Sequence, residues 1–185
     1  MDNARHIALK ALYKIETENA YSNIVLDEIL NTNREILSIK DINLISEIVY
    51  GVTTWRLTLD TIIQKYSKIK VKKISKWVIN ILRMGIYQIV FLDKIPKSAA
   101  VNESVNLCKK YLNKSAGFVN AILRKVTRED YEELKQIDDD IERISKITSM
   151  PVWFVQELLK ENSTDDVQTI CENLNLKPII SVRVN

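Results

Sequence analysis

The sequence predicts an all-α protein, and three observations carry that prediction. Only three glycines and three prolines occur in 185 residues, too few for the hairpins of a β-rich chain or for Gly-rich phosphate loops. Apolar residues recur at helical spacing along most of the chain. The stretch Ile74–Phe91 is apolar on nearly every side, the pattern of a helix at the centre of a helical body. With 46% hydrophobic and 28% charged residues, the composition is that of a folded chain rather than a disordered one.

Taken in order, Asp2 or Asn3 is placed to cap a first helix in which Ala4, Ile7, Ala8, Ala11, Leu12 and Ile15 share a face. Leu9 and Tyr13 fall outside that stripe, either covered by a later element or exposed for stacking, and His6 reads as a helix-surface residue. A second helix follows Ser22, with Ile24, Val25, Ile29 and Leu30 inward, ending near Asn31–Asn33. A third begins near Asp41 and stays periodic through Ile45, Ile48, Val49, Val52, Trp55, Leu59, Ile62 and Tyr66. Gly51 inside it either bends the helix or admits a close neighbour.

The basic run Lys65–Lys76 leads into the central helix. Burying its eight large apolar side chains supplies about 12–24 kcal/mol gross, at roughly 1.5–3 kcal/mol each. Pro96 then stops it. Lys97–Arg128 reads as two short helices joined by a turn. Ser98 is the expected N-cap of the first, whose stripe is Val101, Val105, Cys108 and Leu112. The second carries Val119, Ile122, Leu123 and Val126, and Asn120, Arg124, Lys125 and Arg128 fall on its far arc with Gly117 and Ala121. From Glu129 the chain turns acidic and weakly amphipathic, as a connecting helix or ordered linker. Pro151 opens a further helix, and Ser163 with Asp166 starts another that ends near Leu176. Residues 178–185 are β-branched and alternating and read as a strand, which suggests the threshold of a further domain.

The net charge of +3 conceals an asymmetry. Residues 1–128 carry 21 Lys+Arg against 11 Asp+Glu, whereas residues 129–185 carry 6 against 13. Between Lys65 and Arg128 there are 15 basic residues and only two acids, Asp93 and Glu103. Cations gathered in this way form an electrostatic footprint for phosphates. No apolar core for a signal peptide lies in the first ten residues, and the most apolar run is too short and too polar to span a bilayer, so no membrane partner is expected. Two separated cysteines outside any CxxC pair fit a reduced, cytoplasmic compartment, and a single histidine excludes most histidine-based metal sites.

The segment VNESVNLCKKYLNKSAGFVNAILRKV resembles the C-terminal signature of the NusB fold, an all-α RNA-binding domain of two packed three-helix bundles, and ARHIALKALYKIE resembles its first helix. The later part, SMPVWFVQELLKEN with LKPIISVRVN after it, is similar to the segment that succeeds the NusB-like domain in Sun/Fmu-type methyltransferases. The resemblance implies a NusB-like RNA-binding domain over 1–128, a helical connecting region over 129–176 and the first strand of a further domain over 177–185. It also implies a parent enzyme that transfers a methyl group from S-adenosylmethionine to cytosine C5 in small-subunit (16S) ribosomal RNA. The family's catalytic Thr-Cys and Pro-Cys motifs are absent: Cys108 follows Leu107 and Cys171 follows Ile170. No Gly-rich loop for S-adenosylmethionine is present. The expectation is therefore the recognition part of such an enzyme, with no cofactor, catalytic or metal site of its own.

The expected RNA contacts are Arg5 on the first helix, Lys72, Lys73 and Lys76 in the basic run, and Asn120, Arg124, Lys125 and Arg128 on the signature helix, with Phe118 as a stacking or core residue. Two other readings compete. One is a free-standing antitermination factor that binds RNA and a ribosomal protein. The other is a structural module whose basic face docks on the acidic linker or on the missing catalytic domain.

Overall fold

The helices α1 (Ala4–Glu18), α2 (Ser22–Thr32) and α3 (Ile39–Thr54) pack into one three-helix bundle. A second is built from α5 (Lys76–Phe91), α6 (Lys97–Leu112) and α7 (Ala116–Leu123), and α4 (Arg56–Tyr66) lies alongside α5. The computed structural model describes residues 4–176. The expected terminal strand lies outside those residues, as do the expected caps Asp2 and Asn3.

The bundles meet along α5, whose residues from Val78 to Ile89 are all buried, including Asn80, Arg83 and Gln88. One continuous core runs from Ala4 to Val126. Its polar members are satisfied locally. Arg83 makes a two-pronged contact with Asp60, at 2.7 and 2.9 Å, and donates to Glu16 at 2.9 Å. Glu16 also accepts from Asn80 at 2.8 Å and pairs with Lys76 at 3.2 Å. Three helices, α1, α4 and α5, are thereby fixed in register by one charged cluster.

Beyond the second bundle, α8 (Glu129–Leu134) and α9 (Asp140–Thr148) rest on α4. The helices α10 (Val152–Leu158) and α11 (Thr164–Leu174) come next, and both pack on α9 around a separate small cluster of Ile144, Val155, Val167 and Cys171. Among the described residues, no helix is long and apolar enough to cross a membrane.

Several local expectations are corrected. The long periodic segment after Asp41 is two helices, broken at Trp55, which serves as C-cap of α3 and N-cap of α4. Gly51 does not bend its helix: a Cβ there would lie 1.9 Å from the Tyr87 ring, so its bare Cα lets α3 press on α5. The start of α3 is Ile39, set by a capping box between Ser38 and Asp41. Lys65 belongs to α4 rather than to a loop, and α6 is entered from Pro96, not from Ser98. Ile24 is 59% exposed, because the face of α2 that meets α1 and α3 is centred on Val25 and Leu26. His6 is buried rather than on the surface, since the end of α6 folds over it and brings the Tyr111 hydroxyl onto its Nε2. Leu9 is fully covered.

Candidate nucleic-acid interface

The expected contact residues fall at the two ends of α5, on α7 and, for Arg5, on α1. At the N-terminal end of α5, Lys72 and Lys73 form a single 3-10 turn ahead of the Ser75 cap, both exposed and without a side-chain partner among the described residues. Lys76, in the first turn, is half spent on Glu16. At the other end, Arg124 and Lys125 lie just past α7, exposed and without partners among the described residues, and the Arg124 carbonyl accepts from Lys97 Nζ at 2.9 Å. Arg128 pairs with Asp93 at 2.8 Å, yet both remain open to solvent, so this contact is readily exchanged for a phosphate. Arg5 is half-buried, and its Nε donates to Gln88 Oε1 at 2.7 Å. A helix of sixteen residues is about 24 Å long, so these cations make two basic poles rather than one patch.

Side chains absent from the expected set gather at the N-terminal pole of α5, beside Lys76. Tyr13, Trp77 and Tyr111 form a ladder of stacked rings, 3.8 Å apart at 9° and 4.0 Å apart at 17°. Lys110 Nζ stands 3.4 Å from His6 Nδ1 at the Tyr111 end. An ammonium has no lone pair to offer, so Nδ1 accepts and Nε2 donates to Tyr111. The ladder is assembled from three helices, and only Tyr13, by lying off the apolar stripe of α1, signalled it in the sequence. Phe118, expected as a stacking or core residue, is half-buried against the main core. Asn120 faces α6 across a cleft of about 470 Å³, whose other walls are Asn102, Asn106 and Lys109.

The acidic region covers one flank of this basic body. Lys65 Nζ bonds Asp130 at 2.7 Å and also pairs with Glu133, and these partners raise its pKa. Burial alone would push the Asp130 carboxyl up. The Lys65 ammonium, the Tyr66 hydroxyl at 2.6 Å and the Thr127 N–H at 2.8 Å outweigh it and hold the carboxyl below its ordinary value. The neutralised cation is thus Lys65, and Lys72, Lys73, Arg124 and Lys125 keep their charge available. Among the described residues no cluster of His, Cys, Asp and Glu could hold a metal ion. Burial raises the pKa of both the Cys108 and Cys171 thiols, which disfavours the reactive thiolate.

Comparison with known proteins agrees with this architecture. Over 184 residues the chain is 35% identical to the probable ribosomal RNA small subunit methyltransferase B of Bacillus subtilis (strain 168), across 99% of this chain and 40% of that protein. The chain thus spans about 40% of the length of that relative. It is 40% identical over 129 residues to the transcription antitermination protein NusB of Ruminiclostridium cellulolyticum, across 69% of this chain and 88% of that protein. Among solved structures, T. maritima NusB superposes with a TM-score of 0.61 at 26% identity, over 70% of this chain and 94% of that one. The profile of the NusB family matches residues 2–128, and with two three-helix bundles joined along a buried α5, the chain belongs to the NusB family.

Proposed function

We propose that this chain is the RNA-holding region of a larger S-adenosylmethionine-dependent ribosomal RNA (cytosine-C5) methyltransferase acting on the small-subunit RNA. The observation that carries this reading is the extent of similarity. The match to the Bacillus subtilis methyltransferase runs through the acidic region to the end of the chain, whereas the match to the antitermination protein covers 69% of it. In this reading residues 1–128 hold RNA, 129–176 connect, and 177–185 lead into the catalytic part.

The residues present do not fit the cofactor. The three glycines lie singly inside α3, α5 and α7, so no Gly-rich turn between a strand and a helix is available to cradle S-adenosylmethionine. Cofactor and nucleophile therefore belong to the rest of the longer protein. The work of this chain is electrostatic and positional. Lysines and arginines at the two poles displace counterions from RNA phosphates, and the rings at one pole and the amides between α6 and α7 are offered to unpaired bases.

The test is a fluorescence anisotropy titration of a small-subunit ribosomal RNA fragment at several salt concentrations. Affinity is expected to fall steeply with salt, by about 0.7 log units per log unit of salt for each phosphate neutralised on a single strand. Arg124→Ala with Lys125→Ala should weaken all RNAs alike and lower that slope by about one to two contacts. No binding at low salt would sink the reading. A free-standing antitermination role is the second reading, supported by the 40% identity to the Ruminiclostridium cellulolyticum protein over 88% of its length. Thr-Cys and Pro-Cys motifs in the reading frame downstream of Asn185 would decide against it.

A further inference from the structure

We infer that the cleft between α6 and α7 seats one unpaired nucleobase of single-stranded RNA, a deepening that rests on the RNA-binding reading above. Asn102, Asn106 and Lys109 are spaced i, i+4 and i+7 on α6, so they form one stripe, and that stripe faces Asn120 and Gly117 of α7. Val105 and Ala116 supply an apolar floor. No acid lines the cleft.

The polar residues of the cleft take no part in the core. The three asparagines have no side-chain hydrogen-bond partner among the described residues, and asparagine is a poorer helix former than alanine. Gly117 sharpens the point. A Cβ at Gly51 would strike Tyr87, and one at Gly85 would come within 2.7 Å of Leu123, so packing explains both glycines. A Cβ at Gly117 would meet nothing within 4 Å, and its φ is not positive. Glycine in the middle of a helix gives up about 0.5–1 kcal/mol relative to alanine, and Gly117, in the first turn of α7, gives up part of that. Neither packing nor backbone conformation accounts for that loss, whereas close approach of a ligand to the helix does.

The chemistry of the lining selects the ligand class. A carboxamide presents a donor beside an acceptor, which is how the edge of an unpaired base is arranged. A single lysine is enough for that nucleotide's phosphate but would make a poor site for phosphates alone. The Val105 floor gives the base face an apolar surface to lie on.

The test uses the whole chain with homopolymeric RNA dodecamers of A, C and U and an abasic ribose-phosphate strand of equal length, titrated by anisotropy at three salt concentrations. The wild type should bind at least one base-bearing strand about tenfold tighter than the abasic strand, in the range that single-base contacts give. Asn102→Ala with Asn106→Ala, both exposed positions, should shrink that gap to about threefold without altering the salt slope, whereas Lys109→Ala should lower the slope. Gly117→Met, whose Cβ has open space around it and whose longer side chain would occupy the cleft, should shrink the gap as well, with helicity checked by circular dichroism. If both amide and Gly117 variants keep the full gap, the base seat is wrong. If the wild type binds base-bearing and abasic strands equally, the base seat also falls while RNA binding through phosphates stands. If it binds neither, both readings fall.

Discussion

Asp130 ties the acidic half of the chain to the basic half. Its side chain is almost wholly buried and accepts from Lys65, Tyr66 and the Thr127 N–H, so both oxygens are occupied. Glu16 plays the same part inside the body. Burial raises its carboxyl, but the Arg83 guanidinium, with Lys76, Asn80 and Arg56, brings it below the ordinary value. Both carboxylates therefore have lower pKa values folded than unfolded. Their contribution is fully present above the unfolded value, about 4, and is lost as pH falls through the folded value. Urea denaturation should show stability declining below about pH 4, and Asp130→Asn should flatten that decline. At neutral pH the same substitution should cost about 2–3 kcal/mol, since it faces an amide NH2 toward a set of donors, the Lys65 ammonium, the Tyr66 hydroxyl and the Thr127 N–H, and removes the charge that paired Lys65. An unchanged acid profile in the variant would show that Asp130 is not the titrating group. Neither partner could be matched in the sequence: Asp130 lies among many acids, 65 positions from Lys65, and only the docking of α8 on α4 selects it.

Helix α4 and helix α9 cap one another. Trp55 provides no side-chain cap for α4, so the first amides of that helix look elsewhere. Ser149 Oγ accepts from the Leu57 N–H at 2.8 Å and the Thr58 N–H at 3.4 Å, and Thr58 Oγ1 donates to the Lys146 carbonyl at 2.6 Å near the end of α9. Ser149 makes this reach from a left-handed backbone with φ of 59°. Replacing it therefore separates two effects. Ser149→Ala should destabilise by about 1–2 kcal/mol through loss of the cap. Ser149→Gly should cost less than half as much, because relief of left-handed strain, about 1 kcal/mol, offsets the lost hydroxyl. Chemical denaturation checks the order of the two variants, and exchange of the Leu57 and Thr58 amides should quicken in both. The same cap explains why the break between α3 and α4 was not legible in sequence. No glycine or proline marks it, the apolar period runs across Trp55, and the residue that caps the second helix is 92 positions away. The local cap at Ser163 is legible directly from its Asp166 partner, whereas the equally local box of Ser38 and Asp41 is passed over by the periodicity, because the apolar stripe of α3 begins only after it.

At the scale of the molecule, the all-α class and the central position of α5 were legible because both depend on local periodicity and on the mean burial of a helix. The candidate interface was legible in its charges but not in its arrangement. The sequence located Lys72, Lys73, Arg124 and Lys125, yet held no sign that α5 places them at opposite ends, or that rings from three helices stack beside the first pair. Those features depend on which helices are neighbours. The same neighbour relations suggest a division of labour: the body has its own core from Ala4 to Val126, and α9 to α11 share a second, smaller one. All of the expected contact residues and the amide cleft lie within residues 1–128. Truncation after Arg128 should therefore leave a folded, cooperatively melting helical domain. Its stability should fall by about 2–4 kcal/mol, as the Asp130 contacts and the Ser149 cap are lost together. Its affinity for RNA should stay within about threefold of the full chain, since loss of the acidic region removes partners of Lys65 but no phosphate contact. Circular dichroism melts and anisotropy titrations on the two lengths read both quantities. A truncated domain that remains folded but loses RNA binding would move the interface onto the connecting helices, and one that does not fold would show that the second core is part of the first.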